Sequence, residues 1–320
     1  MTRCLARPEK ISIIGSGSIG AGWAIVFARV GFEVTLNDIA QASLEQARLF
    51  ITARLSDLAS EGLIADSPDE VAARVNYEVE LERAAATSDL VIEAAPEILT
   101  LKQELFARLA AVTSDKTILA SSSSALTASA IAGDLEARHR CLIAHPGNPP
   151  YLLPVVELVP SAVTSSTIIS GAVRLFEEAG MSTVTLHREV EGFVFNRLQG
   201  AMLREAYCLV RDGVVSVGDL DKVIRDGLGM RYAFIGPFET SDLNVRGGIA
   251  AHAARMGAAY ERMGTERGQH DPWTPELVDK VAKERREILP LEDWEDRVSW
   301  RDRRLMALSR LKRDLRLNDG

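Results

Sequence analysis

The most pointed chemistry in this chain is carried by a histidine and a glutamate twelve positions apart. His145 closes the apolar run Cys141-Leu142-Ile143-Ala144 and opens the loop Pro146-Gly147-Asn148-Pro149-Pro150, and Glu157 is the one polar residue in Val155-Val156-Glu157-Leu158-Val159. Both runs have the length and composition of short strands. By period-two alternation Glu157 shares a face with Val155 and Val159, so its carboxylate stands either at an exposed edge or in the interior with a partner. If His145 is that partner, the carboxylate accepts the imidazole Nδ1–H, fixes the tautomer and leaves Nε2 free to take a proton. The same two residues also read as a satisfied core histidine and an edge glutamate.

Four hydroxyls follow another strand-like run, Thr117 to Ala120: Ser121-Ser122-Ser123-Ser124. The carboxyl end of a strand is where open α/β sheets bind ligands, although one serine would suffice to cap a helix over Leu126 to Ala132. Near the start of the chain, Ile11-Ser12-Ile13-Ile14-Gly15-Ser16-Gly17-Ser18-Ile19-Gly20 reads as strand, tight turn and helix. Gly15 permits the turn, Gly17 lets a pyrophosphate approach the backbone, and Gly20 lets helix and strand pack closely. The first free N–H groups of the helix, around Ser18 and Ile19, face the anion. Asp38 stands at the end of the next strand, eighteen positions after Gly20, where a carboxylate accepts hydrogen bonds from an adenosine ribose. No Arg or Lys follows in Ile39-Ala40-Gln41 to meet a 2′-phosphate, so NAD is expected over NADP.

The elements that must position these groups alternate between strand and helix. A long helix is expected over Ala42 to Leu63, a strand over Val75 to Val79, a short helix over Leu81 to Ala86 and a buried strand over Leu90 to Ala94. A helix over Leu99 to Val112 follows, and a last strand-like run spans Ser182 to Val190. From Val194 the period changes to helical, over Val194 to Val210, Ser216 to Asp226, Thr274 to Ile288 and Val298 to Leu315. We therefore expect an α/β Rossmann-type doubly wound sheet over residues 1–190. An all-α C-terminal domain over 191–320 should close the cleft or form a subunit interface.

Length and composition bound the rest. At 320 residues the chain has room for two domains, and with 47% hydrophobic and 26% charged residues it is ordinarily globular. A formal charge of −8 with no basic stripe argues against nucleic acid, and no apolar run is long enough to span a membrane. Charges at the N-terminus where a signal peptide is apolar, and three widely spaced cysteines, lead us to expect a reducing, cytoplasmic location. The five histidines form no zinc-like spacing, and no metal is expected.

Taken together, Gly15 to Gly20 with Trp23-Ala24, Ala144-His145-Pro146 with Asn148-Pro149-Pro150, Val156 to Pro160, Gly192-Phe193-Val194-Phe195-Asn196-Arg197-Leu198 and Gly227 to Pro237 resemble the 3-hydroxyacyl-CoA dehydrogenase family. The closer likeness is to its lambda-crystallin / L-gulonate 3-dehydrogenase branch. Gly147 and Ala125 depart from that pattern and affect loop detail. The resemblance implies that His145 is the base, Glu157 its helper carboxylate, Ser124 and Asn196 the groups that hold the reacting oxygen, and Glu97 and Lys102 a pair beside the cofactor. As bare sequence, Glu97 and Lys102 read equally as a solvated helix start. The expected activity is NAD-dependent oxidation of the 3-hydroxyl of a small L-3-hydroxy acid, L-gulonate first. Acyl-CoA or carnitine-type substrates, or a crystallin-like structural role, stand as alternatives. Relatives that use CoA place lysines on the helix after the second strand, whereas Ala40 to Gly62 is net acidic here; Arg231 could instead meet a free carboxylate. A homodimer through the helical domain is expected from its amphipathic helices and from Trp273, Trp294 and Trp300.

Overall fold

The computed structural model describes residues 9–60, 62–267, 274–294, 296–297, 300 and 311. The chain divides into two compact units, Met1–Gly200 and Ala201–Gly320.

The first unit is built on one eight-stranded sheet: β1 (Lys10–Ile14), β2 (Glu33–Asn37), β3 (Val75–Glu78), β4 (Leu90–Glu93), β5 (Ile118–Ser121), β6 (Cys141–Pro146), β7 (Val155–Pro160) and β8 (Ser182–Thr185). Their order across the sheet is β3-β2-β1-β4-β5-β6-β7-β8. The first six run parallel, β7 is antiparallel to β6, and β8 is parallel to β7. The chain reverses its direction of travel across the sheet between β1 and β4, so the carboxyl ends of those two strands open the crevice in which such sheets bind nucleotides.

Helices cover both faces because the central strands are apolar on both sides, as in Leu90-Val91-Ile92. On one face lie α1 (Ser18–Ala28), α2 (Gln41–Ser60), α3 (Pro68–Ala72) and α7 (Ser166–Glu178). There the ring of Trp23 meets that of Phe176 with centroids 5.3 Å apart. The other face carries α4 (Leu81–Ala85), α5 (Leu99–Val112) and α6 (Ala128–Ala132), packed through Leu81, Phe106, Leu109 and Ile131. Helices α3 and α7 have no counterpart in the expected elements. In α7 the buried Ile168, Ala172, Leu175 and Phe176 recur at helical spacing, and Ser165 caps its start.

In the helical part, α8 (Phe195–Arg211) leads to α9 (Val217–Lys222), a π-helical turn over Val223–Leu228, and α10 (Gly229–Tyr232). Then come α11 (Pro237–Asn244), α12 (Gly248–Glu266) and α13 (Pro275–Ile288). Helices α11 and α12 have no counterpart in the expected elements; α12 lies in the Gly- and Ala-rich stretch, and Gly247, at φ 105°, stands at its N-cap. The division between units falls inside α8, ten residues beyond the boundary expected near 190, because the opening amides of α8 are bonded into the first unit. The Val298 to Leu315 helix lies outside the described residues apart from 300 and 311, as does Trp273. Among the described residues no helix is long and apolar enough to cross a membrane.

Candidate active site

The glycine turn forms as its residue types require. Gly15 has φ 103°, and a Cβ there would lie 2.7 Å from the carbonyl oxygen of Ala94; a Cβ on Gly20 would lie 1.8 Å from that of Gly15. Gly17, by contrast, faces open space. It leads into α1, whose first N–H groups, from Ser18 onward, have no partner within the helix. Beside them lies a cavity of about 1090 Å³, lined by Gly15, Gly17, Ser18, Asp38, Ala95 and Phe50 among others. An open backbone, a helix N-terminus and a carboxylate at the end of β2 are a donor set that fits a dinucleotide.

Asp38 is held in place. Its Oδ2 accepts from the Ser16 amide at 3.0 Å and the Ser16 hydroxyl at 2.8 Å, and its Oδ1 accepts from the Ala40 amide at 3.2 Å. A negative charge so fixed attracts ribose hydroxyls and repels a 2′-phosphate. The expected result is a strong preference for NAD over NADP, which Asp38→Ala narrows by a factor on the order of 10 to 100. Comparable kcat/KM for the two cofactors in the unaltered protein would contradict it.

His145 and Glu157 are brought together. They are direct cross-strand partners in the antiparallel β6–β7 pair, His145 is 6% exposed and Glu157 3%. Strand β7 is flanked by β6 and β8, so Glu157 is not at an edge. His145 Nδ1 lies 2.7 Å from Glu157 Oε2, and with that carboxylate accepting the Nδ1–H the neutral imidazole has Nε2 free to take a proton. Glu157 Oε1 accepts from the amides of Val194 and Phe195 at 2.7 and 2.9 Å. Burial alone would push this carboxyl upward. The hydrogen bonds from His145, Phe195 and Val194 outweigh that, and it lies below the usual carboxylate value. The rings of Phe193 and Phe195 stand 5.5 and 6.3 Å from the imidazole.

The four serines take separate roles. Ser121 donates to Glu93 Oε2 at 2.6 Å, Ser122 accepts the Trp23 indole N–H at 2.9 Å, and Ser123 donates to Glu97. Ser124 remains exposed, and its carbonyl accepts from Asn196 Nδ2 at 3.2 Å, so these two residues are neighbours. None of the four caps α6. That helix begins at Ala128, with Thr127 accepting from the Ala130 amide, because Ser123 instead accepts from the amides of Ala125 and Leu126.

Lys102 is not part of a solvated helix start, since it is 1% exposed. Its ammonium donates to Glu93 Oε1 at 2.8 Å and to the Ala95 carbonyl at 3.2 Å, and it pairs with Glu97 Oε2 at 3.3 Å. The three protons of an ammonium are thereby engaged by protein. Glu97 accepts through Oε1 from Ser123 and from the amides of Ser124 and Ala125. Burial pushes its carboxyl upward, but the Ser123 hydrogen bond and the Lys102 charge bring it below its ordinary value. Glu93, wholly buried, carried no expected role. A carboxylate closing the run Leu90-Val91-Ile92 needs a partner, and that requirement was the available signal.

Arg231 lies in the helical unit, half-buried; it donates to the neutral Asn244 Oδ1 at 3.2 Å and has no carboxylate partner among the described residues. Trp294 and Trp300 are half-buried. They pack on Ile235, Leu243 and Leu289 in the core of that unit. Among the described residues no cluster of three metal-ligating side chains occurs.

A doubly wound sheet with this glycine turn and the Asp38 carboxylate beside it fits an NAD-binding dehydrogenase. The family model of the 3-hydroxyacyl-CoA dehydrogenase NAD binding domain matches residues 10–190 and that of its C-terminal domain residues 192–289. The chain belongs to the 3-hydroxyacyl-CoA dehydrogenase family, and it is an NAD-dependent oxidoreductase acting on a CH–OH group. Within the family it is 38% identical over 312 residues to the lambda-crystallin homolog of Bos taurus, covering 96% of this chain and 97% of the relative. It is 35% identical over 277 residues to the L-carnitine dehydrogenase of Streptomyces coelicolor, covering 86% and 83%. Among solved structures, the 3-hydroxyacyl-CoA dehydrogenase of Archaeoglobus fulgidus aligns with a TM-score of 0.70 at 27% identity, over 95% of this chain and 98% of that one. The NAD-dependent 5-formyl-3-hydroxy-2-methylpyridine 4-carboxylic acid 5-dehydrogenase aligns with a TM-score of 0.72 at 26% identity, over 89% and 98%.

Proposed function

We propose that the protein oxidises the 3-hydroxyl of a small free L-3-hydroxy acid, with L-gulonate the first candidate. The observation that carries the chemistry is the buried His145 Nδ1–H donating to Glu157 at 2.7 Å, which presents Nε2 as a base. NAD, when bound, supplies the hydride acceptor. His145 Nε2 takes the hydroxyl proton, Glu157 holds the ring and stabilises the imidazolium, and Ser124 and Asn196 hydrogen-bond the reacting oxygen. Gly15 to Gly20 and Asp38 hold the dinucleotide, and Glu97 stands at the mouth of the serine loop.

Support for a free acid comes from charge. A CoA thioester brings phosphates that need cations; the residues of α2 that line the cavity, Gln41, Ser43, Gln46, Ala47 and Phe50, are not cationic, and Arg108 of α5, which also lines it, is paired with Glu82. L-carnitine and the pyridine carboxylic acid, in the names of two relatives above, are themselves free carboxylates. Arg231, a guanidinium whose partner among the described residues is the neutral Asn244, is assigned to the substrate carboxylate. Arg231→Met should raise KM for 3-hydroxy acids by a factor on the order of 10 to 100, the loss of one charge-assisted pair, and change turnover at saturation less. An unaltered acid KM would remove this assignment.

We also propose a homodimer through the helical domain, in a cytoplasmic setting. Helix α8 has no buried residue, and it exposes Leu198, Met202, Leu203 and Tyr207. A contiguous apolar helix face of this kind is typical of a covered surface. Light scattering at micromolar concentration tests it, and a monomer mass would refute it.

A further inference from the structure

Among the described residues, Phe193 is the one non-glycine residue in the left-handed region, at φ 49°, and it follows Gly192 at φ 75°. Such a conformation is sparsely populated for an aromatic residue and persists where surrounding contacts hold it. Here they do. The Phe193 side chain is fully buried in the core cluster that contains Ile143, Val159 and Leu186, and its ring stands tilted by 57° to the imidazole of His145.

Two successive left-handed residues bend the chain sharply, and the bend decides where the next two amides point. Both reach one atom: the N–H groups of Val194 and Phe195 donate to Glu157 Oε1. They are also the amides that open α8, a 17-residue helix, so Oε1 receives the positive end of its dipole. Oε2 is then left to His145. A chain that passed Gly192 and Phe193 in the ordinary right-handed or extended region would leave the turn in another direction, carry these two amides away from Oε1, and let the carboxylate turn.

We propose that the Gly192–Phe193 turn is a positioning element for the base: it clamps one carboxylate oxygen of Glu157 with the opening amides of α8 and so aims the other at His145 Nδ1. This rests on the reading of His145 and Glu157 as base and helper.

A pair of substitutions at Gly192 separates backbone from bulk. A Cβ there meets the Arg197 and Asn196 side chains at 3.5 and 3.7 Å and the Arg197 backbone nitrogen at 3.9 Å, all ordinary contact. Asparagine tolerates the left-handed region and a β-branched residue does not, so Gly192→Asn and Gly192→Val differ chiefly in what backbone they allow. Three quantities are read on the full chain: the downfield imidazole Nδ1 proton in the NMR spectrum, kcat with a 3-hydroxy acid, and the Kd for NAD. Gly192→Val should displace or broaden the resonance and lower kcat by a factor on the order of 10 to 100, the usual consequence of a misplaced catalytic group. Its NAD Kd should be unchanged, and Gly192→Asn should keep all three quantities. If Gly192→Val does not accumulate as folded protein, Phe193→Leu carries the test, because it removes the ring that anchors the turn beside His145. An unmoved resonance and unaltered kcat in a folded Gly192→Val or Phe193→Leu protein overturn the proposal. A displaced resonance with unaltered turnover overturns the base assignment and leaves the clamp standing.

Discussion

His145→Ala is expected to lower kcat by a factor on the order of 10² to 10⁴ while NAD affinity stays close to that of the unaltered protein. The imidazole lies outside the glycine turn that receives the dinucleotide, so the loss should fall on proton transfer. Glu157→Gln sharpens the expectation. Its amide oxygen can still accept from Val194 and Phe195, but its NH₂ would donate to Nδ1 and move the imidazole proton to Nε2, abolishing the base. Glutamine should therefore be nearly as damaging as alanine at this position, although it keeps shape and packing. Retention of most of the rate in His145→Ala would refute the dyad.

The same carboxylate sets a pH dependence. The Glu157 carboxyl lies below its ordinary value in the folded protein. Its contribution to stability is thus fully present above the ordinary carboxylate range and is lost as pH falls through the lower folded value. The stability gap between the unaltered protein and Glu157→Gln should close in acid.

Lys102→Met is expected to cost about 3–5 kcal/mol of folding stability, because it leaves Glu93, fully buried, without its counter-charge. Removing the other charge as well, in Glu93→Gln/Lys102→Met, should restore more than half of the loss, since a neutral pair of similar volume carries no uncompensated charge. Denaturant unfolding of the three proteins reads this directly. NAD binding by the double variant reads the second question. With its protons engaged by Glu93, Ala95 and Glu97, Lys102 is expected to act by anchoring Glu97 and, through it, the amides of Ser124 and Ala125. The double variant should then lose turnover more than NAD affinity. A large loss of NAD affinity with intact turnover would instead mean that Lys102 touches the cofactor.

Much of this was legible in residue types. The glycine turn and Asp38 declare themselves because their chemistry is local, with strand, turn, helix and carboxylate within thirty residues. His145 and Glu157 were legible only as alternatives, since alternation says that Glu157 faces inward or outward but not which strand lies beside it. The β6–β7 register sets the two side by side. Lys102 looked like an exposed helix residue because a buried cation shows no pattern until Glu93 is seen at the end of β4. Helix α12 was masked by its glycines and alanines, and α11 by its shortness and its run of polar residues, although packing supports both. The left-handed Phe193 has no sequence signature, because an aromatic residue is an unlikely occupant of that region on local grounds and only the core beneath it holds it there.

The most direct test of the account is a comparison of kcat/KM for L-gulonate and for 3-hydroxybutyryl-CoA, each with NAD, followed by growth of absorbance at the reduced-nicotinamide band. Higher efficiency with the free acid is the result expected from the uncharged α2 lining of the cavity and from Arg231. Far higher efficiency with the CoA thioester, or a flat trace with L-gulonate and other 3-hydroxy acids while NAD still binds tightly, would contradict it.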